Sequence, residues 1–233
     1  TEPVGSMIVD IGGGTTEVAV LSLQVGGRSG LKRVRQLRVL RNFSNLAERL
    51  ETLAAAQGLA EVALLLVPSG DAIEGVLEDL LVQLSRLELV VKDKQDNLEA
   101  LAISVQGLTH LLALGGYALP LAECCRSGLP LDPPLGNWEW RCSLLPSEGF
   151  VIGAVPGAQM VLNASELALL QRLLRPALPR KRDGELMGPE RVWLRLLQLL
   201  ELWCREHLNR SARSWRMLRQ CFNDGASSVA ERS

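Results

Sequence analysis

The sequence predicts a mainly α protein, built as a helical bundle with a small β-rich segment at its N-terminus and another small β region in its middle. Three observations carry this prediction. Leucine-rich stretches with helical spacing fill most of the chain, while aromatic residues make up only 4% of it. β-branched residues surround three successive glycines near the start. Prolines and alternating apolar residues set residues 118–164 apart from the helices on either side.

The opening segment, residues 7–20, predicts a strand, a glycine turn and a second strand. Its β-branched residues favour a pleated surface, and its glycines permit a tight reversal. A further strand is predicted over about residues 30–40. That segment is ambiguous, because its apolar residues also recur at a helical spacing of three.

Three helices are predicted next. Ser44 or Asn45 caps the first, which runs toward Val67 and can be interrupted at Gly58. Asp71 caps the second. Residues 92–97 form a solvated linker to the third, an uncharged helix over residues 100–116. Residues 100–122 are long enough to span a bilayer, but their polar and helix-breaking residues favour a buried core helix in a soluble protein.

The remaining elements follow from turn and cap residues. Residues 138–142 and 150–152 alternate and predict a small hairpin or sheet. Asn163 or Ser165 opens a short helix to Leu174. Pro189 suits the first turn of a longer helix, because its missing N–H has no partner there. Residues 211–221 form a last short helix, followed by a flexible tail at residues 223–233.

Composition and charge exclude several classes. With 47% hydrophobic residues and a net charge of −1, the chain is not a disordered protein, nor strongly basic overall. Its five cysteines form an irregular set and no secretory signal opens the chain, so we expect a cytoplasmic protein without a disulfide framework. The first residue is Thr rather than Met, which suggests a fragment.

Local charge is far from neutral. Residues 42–100 hold 11 acidic and 4 basic side chains, whereas residues 172–221 hold 12 basic and 5 acidic ones. Residues 28–41 contain six bases and no acid. Basic side chains neutralise phosphates and release counterions, so both basic segments are candidate DNA-binding surfaces. The predicted DNA-contacting residues are Arg28, Lys32, Arg33, Arg35, Arg38 and Arg41, with Arg213, Arg216 and Arg219 as a second patch.

Within the second patch, Trp215 has two interpretations of equal weight. It is either an aromatic partner of the surrounding bases or a core residue behind a solvated helix face. The first patch has no aromatic residue beside its bases, so it does not indicate stacking of single-stranded bases.

The glycine turn is a weak candidate phosphate loop, because successive backbone N–H groups and threonine hydroxyls can donate to a phosphate. Its residues are Asp10, Gly12, Gly13, Gly14, Thr15 and Thr16. Residues 1–23 closely resemble the phosphate-contacting hairpin of the MreB family of actin-like ATPases. In that fold the hairpin is one of several nucleotide-contacting segments, and none of the others follows here. A single hairpin cannot enclose a nucleotide, so no cofactor is predicted.

From residue 24 onward the chain resembles the RecO family of recombination mediators. The resemblance rests on residues 23–33, on the Leu-Gly-Gly-Tyr run at 114–117 followed by a cysteine turn at 124–128, on residues 138–150, and on the basic ending at 213–220. It implies a remnant of an OB-fold at residues 24–43, a helical domain at 44–117, a degenerate zinc-finger-like region at 118–164 and C-terminal helices at 165–222. Trp215 departs from the family, which has an arginine there.

Two further departures concern the metal and the first domain. Many members of the family bind zinc through two Cys-x-x-Cys pairs, but here Ser127 stands at the second position and no pair follows Phe150. Structural zinc needs four ligands, and the local supply is Cys124, Cys125 and Cys142, so no metal is predicted. Most OB-fold strands are missing, and the MreB-like segment, possibly foreign, stands in their place. Gene fusion and a joining of two genes during sequence assembly both explain it.

The resemblance implies a DNA repair protein that breaks no bonds. Such mediators bind single- and double-stranded DNA and the single-strand-binding protein SSB, help RecR to load RecA, and anneal complementary strands near the nucleoid. We expect the missing strands to impair this activity. Two alternatives stay open: a fragment of an actin-like ATPase, and a helical protein-interaction module without DNA binding. No catalytic constellation stands out, so no enzyme is predicted.

Overall fold

The computed structural model describes residues 4–12, 15–26, 33–67, 73–210 and 212–230, with side chains described for 41–67, 73–210 and 212–222. Its first sheet contains β1 (Val4–Gly12), β2 (Thr15–Gly26) and β3 (Arg33–Asn42), in the order β1-β2-β3. Both pairings are antiparallel. Gly12 pairs with Thr15, which confirms the predicted strand-turn-strand segment. The ambiguous third segment is a strand.

These three strands form an open antiparallel sheet. A closed OB-fold barrel needs five strands, so the remnant at residues 24–43 stays a prediction. β2 runs unbroken through the point where the two resemblances meet, near residue 23. The β2–β3 register shifts on each side of that point, between Val20 and Leu21 and between Gln24 and Val25.

The core is helical, as predicted. α1 (Leu50–Leu66), α2 (Val76–Lys92) and α3 (Asn97–Leu114) pack against one another. α1 buries a run of small side chains over residues 54–56, and α3 buries nearly all of residues 100–112. Asp96 caps α3 by accepting a hydrogen bond from the N–H of Leu98 at 2.8 Å. Asp71, the predicted cap of α2, lies outside the described residues.

The single helix predicted from Ser44 to Val67 is wrong at its start. A 3-10 turn at Ser44–Glu48 comes first, and Arg49 is extended before α1 begins. The Arg49 guanidinium reaches across to the end of α2, where it donates to the carbonyl oxygens of Val90 at 3.2 Å and Gln95 at 2.7 Å. This tertiary contact holds the chain out of helical geometry. Gly58 does not interrupt α1.

The predicted sheet in the middle of the chain is present. It contains β4 (Arg141–Leu145), β5 (Gly149–Ile152) and β6 (Met160–Asn163), in the antiparallel order β5-β4-β6. The strand predicted from residue 138 begins later than expected, because Trp138 lies in a turn held by the side chain of Asn137.

The C-terminal helices are α4 (Ala164–Arg172), α5 (Glu190–Leu208) and α6 (Ser214–Ala230). Asn163 caps α4 in a reciprocal capping box with Glu166, as the sequence predicts. Pro189 occupies the N-cap of α5, one position before the predicted one. α6 is longer than the predicted helix over residues 211–221 and continues into the segment predicted as a flexible tail. α6 packs on α1, and α5 packs on α3.

Candidate nucleic-acid interface

Four arginines meet where the C-terminal end of α5 approaches the beginning of α6. They line a cavity of about 460 Å³. The arginine cluster, as we call this set, consists of Arg205, Arg213, Arg216 and Arg219. Glu201 and Ala212 complete the lining. The structure therefore brings the three predicted C-terminal arginines together and adds a fourth from the preceding helix.

The local sequence of α6 explains this arrangement. Arg213, Arg216 and Arg219 recur every three residues, which places them along one side of the helix. The other side carries Trp215 and Leu218, which are both fully buried and form part of the hydrophobic core. Trp215 is therefore a core residue. The basic side of α6 faces solvent because its apolar side packs in the core.

One carboxylate lies inside the cluster. Glu201 is buried, and burial raises its pKa despite the opposing effect of Arg219, Arg205 and Arg216. Arg219 forms an ion pair with Oε2 of Glu201. The second oxygen, Oε1, has no hydrogen-bond partner among the described residues. Glu201 thus pairs directly with one guanidinium of the four and interacts at longer range with Arg205 and Arg216.

The other three guanidiniums are available to an external anion. Arg205, Arg213 and Arg216 are exposed. Within the described residues, none of them has a carboxylate oxygen within 4.0 Å. Guanidinium groups bind phosphate through two parallel hydrogen bonds, so a cavity walled by three of them suits a phosphodiester backbone.

Sequence reasoning missed Arg205 although a signal was present. Arg205 follows Glu201 by four residues, so the two share one face of α5. What the sequence does not show is that the chain reverses after α5, where Asn209 adopts a left-handed conformation with φ of 54°. That reversal brings α6 back beside the end of α5.

The first basic block is only partly described. Arg28 and Lys32 lie outside the described residues, and Arg33, Arg35 and Arg38 belong to β3 by their backbone. Arg41 has a described side chain, and its Nη2 lies 3.0 Å from Oε2 of Glu88. Its guanidinium also lies over the ring of Phe43, 4.5 Å from the centroid. The charge of Arg41 is therefore partly compensated by Glu88, which also pairs with Lys92 at 3.7 Å.

The cysteine turn does not fit zinc. The N–H of Ile152 donates to Sγ of Cys124 at 3.4 Å. Burial raises the pKa of the Cys124 thiol, but hydrogen bonds from Ser127, Ile152 and the turn backbone outweigh it and lower the pKa to about 7. Burial raises the pKa of Cys142 to about 12, so that thiol stays protonated at neutral pH.

Burial and the neighbouring Cys124 raise the pKa of the Cys125 thiol as well. The turn and β4 together offer three thiols, those of Cys124, Cys125 and Cys142, where tetrahedral zinc needs four ligands. Within the described ranges, no three His, Cys, Asp or Glu side chains gather closely enough to hold a metal ion.

The candidate phosphate loop is described only at its edges. Asp10 pairs with Glu17, and Gly12 pairs with Thr15. Gly13 and Gly14, which would present the N–H groups, lie outside the described residues. Thr15 and Thr16 begin β2. For this loop the described backbone establishes a hairpin, and phosphate contact stays a prediction.

None of the helices in the described segments has the length and apolarity needed to cross a membrane. α3, whose one Asp, Glu, Lys or Arg residue is Glu99 in its first turn, is instead covered by α1, α2 and α5.

Comparison with known proteins identifies the class of the fold. The family described as "Recombination protein O C terminal" matches residues 47–216, which cover the helical bundle and the middle sheet. The family described as "MreB/Mbl protein" matches residues 1–35. Six helices with a small antiparallel sheet therefore define a C-terminal domain of the recombination protein O type.

Comparison with whole proteins gives the same family. The chain is 60% identical over 207 residues to the DNA repair protein RecO of Prochlorococcus marinus (strain MIT 9303), covering 88% of this chain and 77% of that protein. It is 59% identical over 204 residues to the DNA repair protein RecO of Synechococcus sp. (strain WH7803), covering 87% and 76%. The chain belongs to the RecO family of DNA repair proteins.

Proposed function

We propose that this chain is a recombination mediator that binds DNA through the arginine cluster. The observation that carries the proposal is the group of three exposed guanidiniums around one cavity, none of them in direct contact with a carboxylate among the described residues. Phosphate contacts of this kind are independent of base sequence, so the surface suits both single- and double-stranded DNA. Binding and displacement, with no bond broken, is the mechanism, and no enzymatic activity is part of the proposal.

The partners follow from the family. We propose that the chain contacts SSB on coated strands, helps RecR to load RecA, and anneals complementary strands, acting beside the nucleoid in the cytoplasm. The described part of the first sheet lacks a closed barrel, so we expect weaker DNA binding than in a relative with a complete OB-fold. Arg28, Lys32, Arg33, Arg35 and Arg38 are a second proposed contact, with Arg41 the weakest member because Glu88 compensates it.

The test is the affinity for a single-stranded oligonucleotide at several salt concentrations. Each lost phosphate contact should lower the slope of log affinity against log salt by about 0.7. The double variant Arg213→Gln, Arg216→Gln should therefore lower the slope by about 1.4. The matched control is Arg175→Gln, Arg182→Gln, which removes the same charge from exposed arginines outside the cluster. Equal slopes in the two double variants would contradict the proposed interface.

A second candidate is an actin-like ATPase fragment, favoured by the MreB/Mbl match and by the β1–β2 hairpin. Tight Mg-ATP binding without salt-dependent DNA binding would support it. The third candidate is a helical protein-interaction module. Retained binding of an SSB-tail peptide by a chain that binds no oligonucleotide is the result that this candidate predicts.

A further inference from the structure

The side chain of Trp138 is unusually exposed to solvent. It is 85% exposed, the highest value for a large hydrophobic side chain among the described residues. Trp193 and Trp215 are fully buried by comparison. Tryptophan is highly buried on average, because its large apolar ring gains most from leaving water. An indole exposed in this way is therefore a candidate contact for a ligand that would cover its ring.

The turn that carries Trp138 is fixed by its own hydrogen bonds. Oδ1 of Asn137 accepts from the N–H groups of Glu139 at 3.0 Å and Trp140 at 3.2 Å. The Arg141 guanidinium donates to the carbonyl oxygens of Trp138 at 2.6 Å and Trp140 at 2.9 Å. The backbone on both sides of Trp138 is thus tied down, so the exposure of the ring is built into the turn.

A cavity of about 500 Å³ lies beside the ring, and Trp138 is part of its lining. Arg172 and Arg191 line the same cavity. Neither has a carboxylate oxygen within 4.0 Å among the described residues. The acid in the lining, Glu166, is neutralised by Arg195 at 2.7 Å. The cavity therefore combines an exposed aromatic ring with two uncompensated positive charges.

We propose that Trp138 is a stacking platform for one unpaired base of single-stranded DNA, with Arg172 and Arg191 contacting the neighbouring phosphates. Aromatic rings stack on bases of any sequence, and arginines follow the backbone. This inference rests on the proposed function and adds a further contact surface to it. A peptide anchored in an apolar groove is less well matched, because the indole is 85% exposed and two arginines without a carboxylate partner line the same cavity.

The test compares Trp138→Ala and Trp138→Phe with the unmodified chain. Losing a stacked base should weaken binding of a single-stranded oligothymidine by about 5- to 150-fold, the range that stacking energies of ~1–3 kcal/mol represent. The salt slope should stay unchanged, because no phosphate contact is removed. Phenylalanine should retain most of the affinity. Duplex DNA of the same length should bind both variants equally well, because its bases are already stacked on one another.

Leu135→Ala is the matched control, because Leu135 is a 63% exposed apolar residue that lines the same cavity. The stacking role predicts that it binds the oligonucleotide like the unmodified chain. An apolar peptide groove predicts instead that Leu135→Ala and Trp138→Ala lose binding of an acidic peptide together and leave DNA binding intact.

Two negative results are distinguishable. If the unmodified chain binds single-stranded and duplex DNA and Trp138→Ala binds both equally well, the stacking role is wrong and the proposed function stands. If the unmodified chain binds neither form, both fail. Quenching of tryptophan emission by the oligonucleotide gives an independent reading, since it should disappear in Trp138→Phe while affinity persists.

Discussion

Replacing Gly58 by alanine should destabilise the protein, although alanine is the better helix former. A Cβ atom at position 58 would lie 2.6 Å from Cδ1 and Nε1 of Trp215. Ordinary contact begins at about 3.4 Å, so the indole would have to withdraw by about 0.8 Å. Trp215 is fully buried where α6 packs on α1.

Two opposing effects set the magnitude. Alanine in place of glycine in a helix interior stabilises by about 1 kcal/mol. Overpacking a tight core costs about 1–3 kcal/mol, and a clash with a rigid ring belongs in the upper part of that range. We therefore expect Gly58→Ala to lose about 1–2 kcal/mol of unfolding free energy. For a chain of this size that corresponds to a fall in Tm of roughly 2–8 °C.

Urea denaturation followed by far-ultraviolet circular dichroism measures this loss. The control is Trp215→Phe, alone and combined with Gly58→Ala, because the smaller ring makes room for the methyl group. Nε1 of Trp215 has no hydrogen-bond partner among the described residues, so phenylalanine breaks no bond there. The two changes should couple by more than 0.5 kcal/mol, in the direction of rescue. A stabilised Gly58→Ala variant would refute the close packing of α1 on α6.

Two further predictions concern a helix cap and a histidine. Asn163→Ala should cost about 1 kcal/mol in urea denaturation, because the N–H of Glu166 loses its 2.9 Å acceptor; an unchanged midpoint would mean that the cap is dispensable. For His110, the hydrogen bond to Asp79 raises the pKa, against burial, and the Leu173 carbonyl at 2.8 Å raises it further. Its stabilising contribution is therefore complete below pH 6.5 and is lost as the pH rises through the folded-state pKa. Asp79→Asn should flatten that decline in unfolding free energy, and an unaltered pH profile would count against the ion pair.

Local sequence signals predicted much of the fold because they act over a few residues. The apolar spacing of α3, the cap at Asn163 and the glycine turn before Thr15 each involve neighbours along the chain. The start of α1 was mispredicted for the opposite reason. Arg49 breaks the helix through contacts with Val90 and Gln95, which lie more than forty residues away in sequence.

In the candidate site too, some features follow from neighbours along the chain and others depend on residues that are distant in sequence. The three-residue spacing of Arg213, Arg216 and Arg219 predicts that they share one side of a helix, and the cluster contains all three. Arg205 joins them only because the chain reverses after α5, which spacing alone does not reveal. In the other basic block, residues 28–41 contain no acid, but Arg41 at the end of β3 pairs with Glu88 from helix α2, 47 residues away.

The path of β2 has a consequence for how unlike segments can coexist in one chain. Its residues 15–26 lie within the MreB/Mbl match at residues 1–35, and they form one continuous strand between β1 and β3, close to the recombination-protein match that begins at residue 47. Strand pairing is made by main-chain N–H and C=O groups, which are the same whatever side chains they carry. Unlike sequences can therefore pair as neighbours in one sheet, with register shifts where they meet, and the β1–β2 hairpin covers one edge of β3.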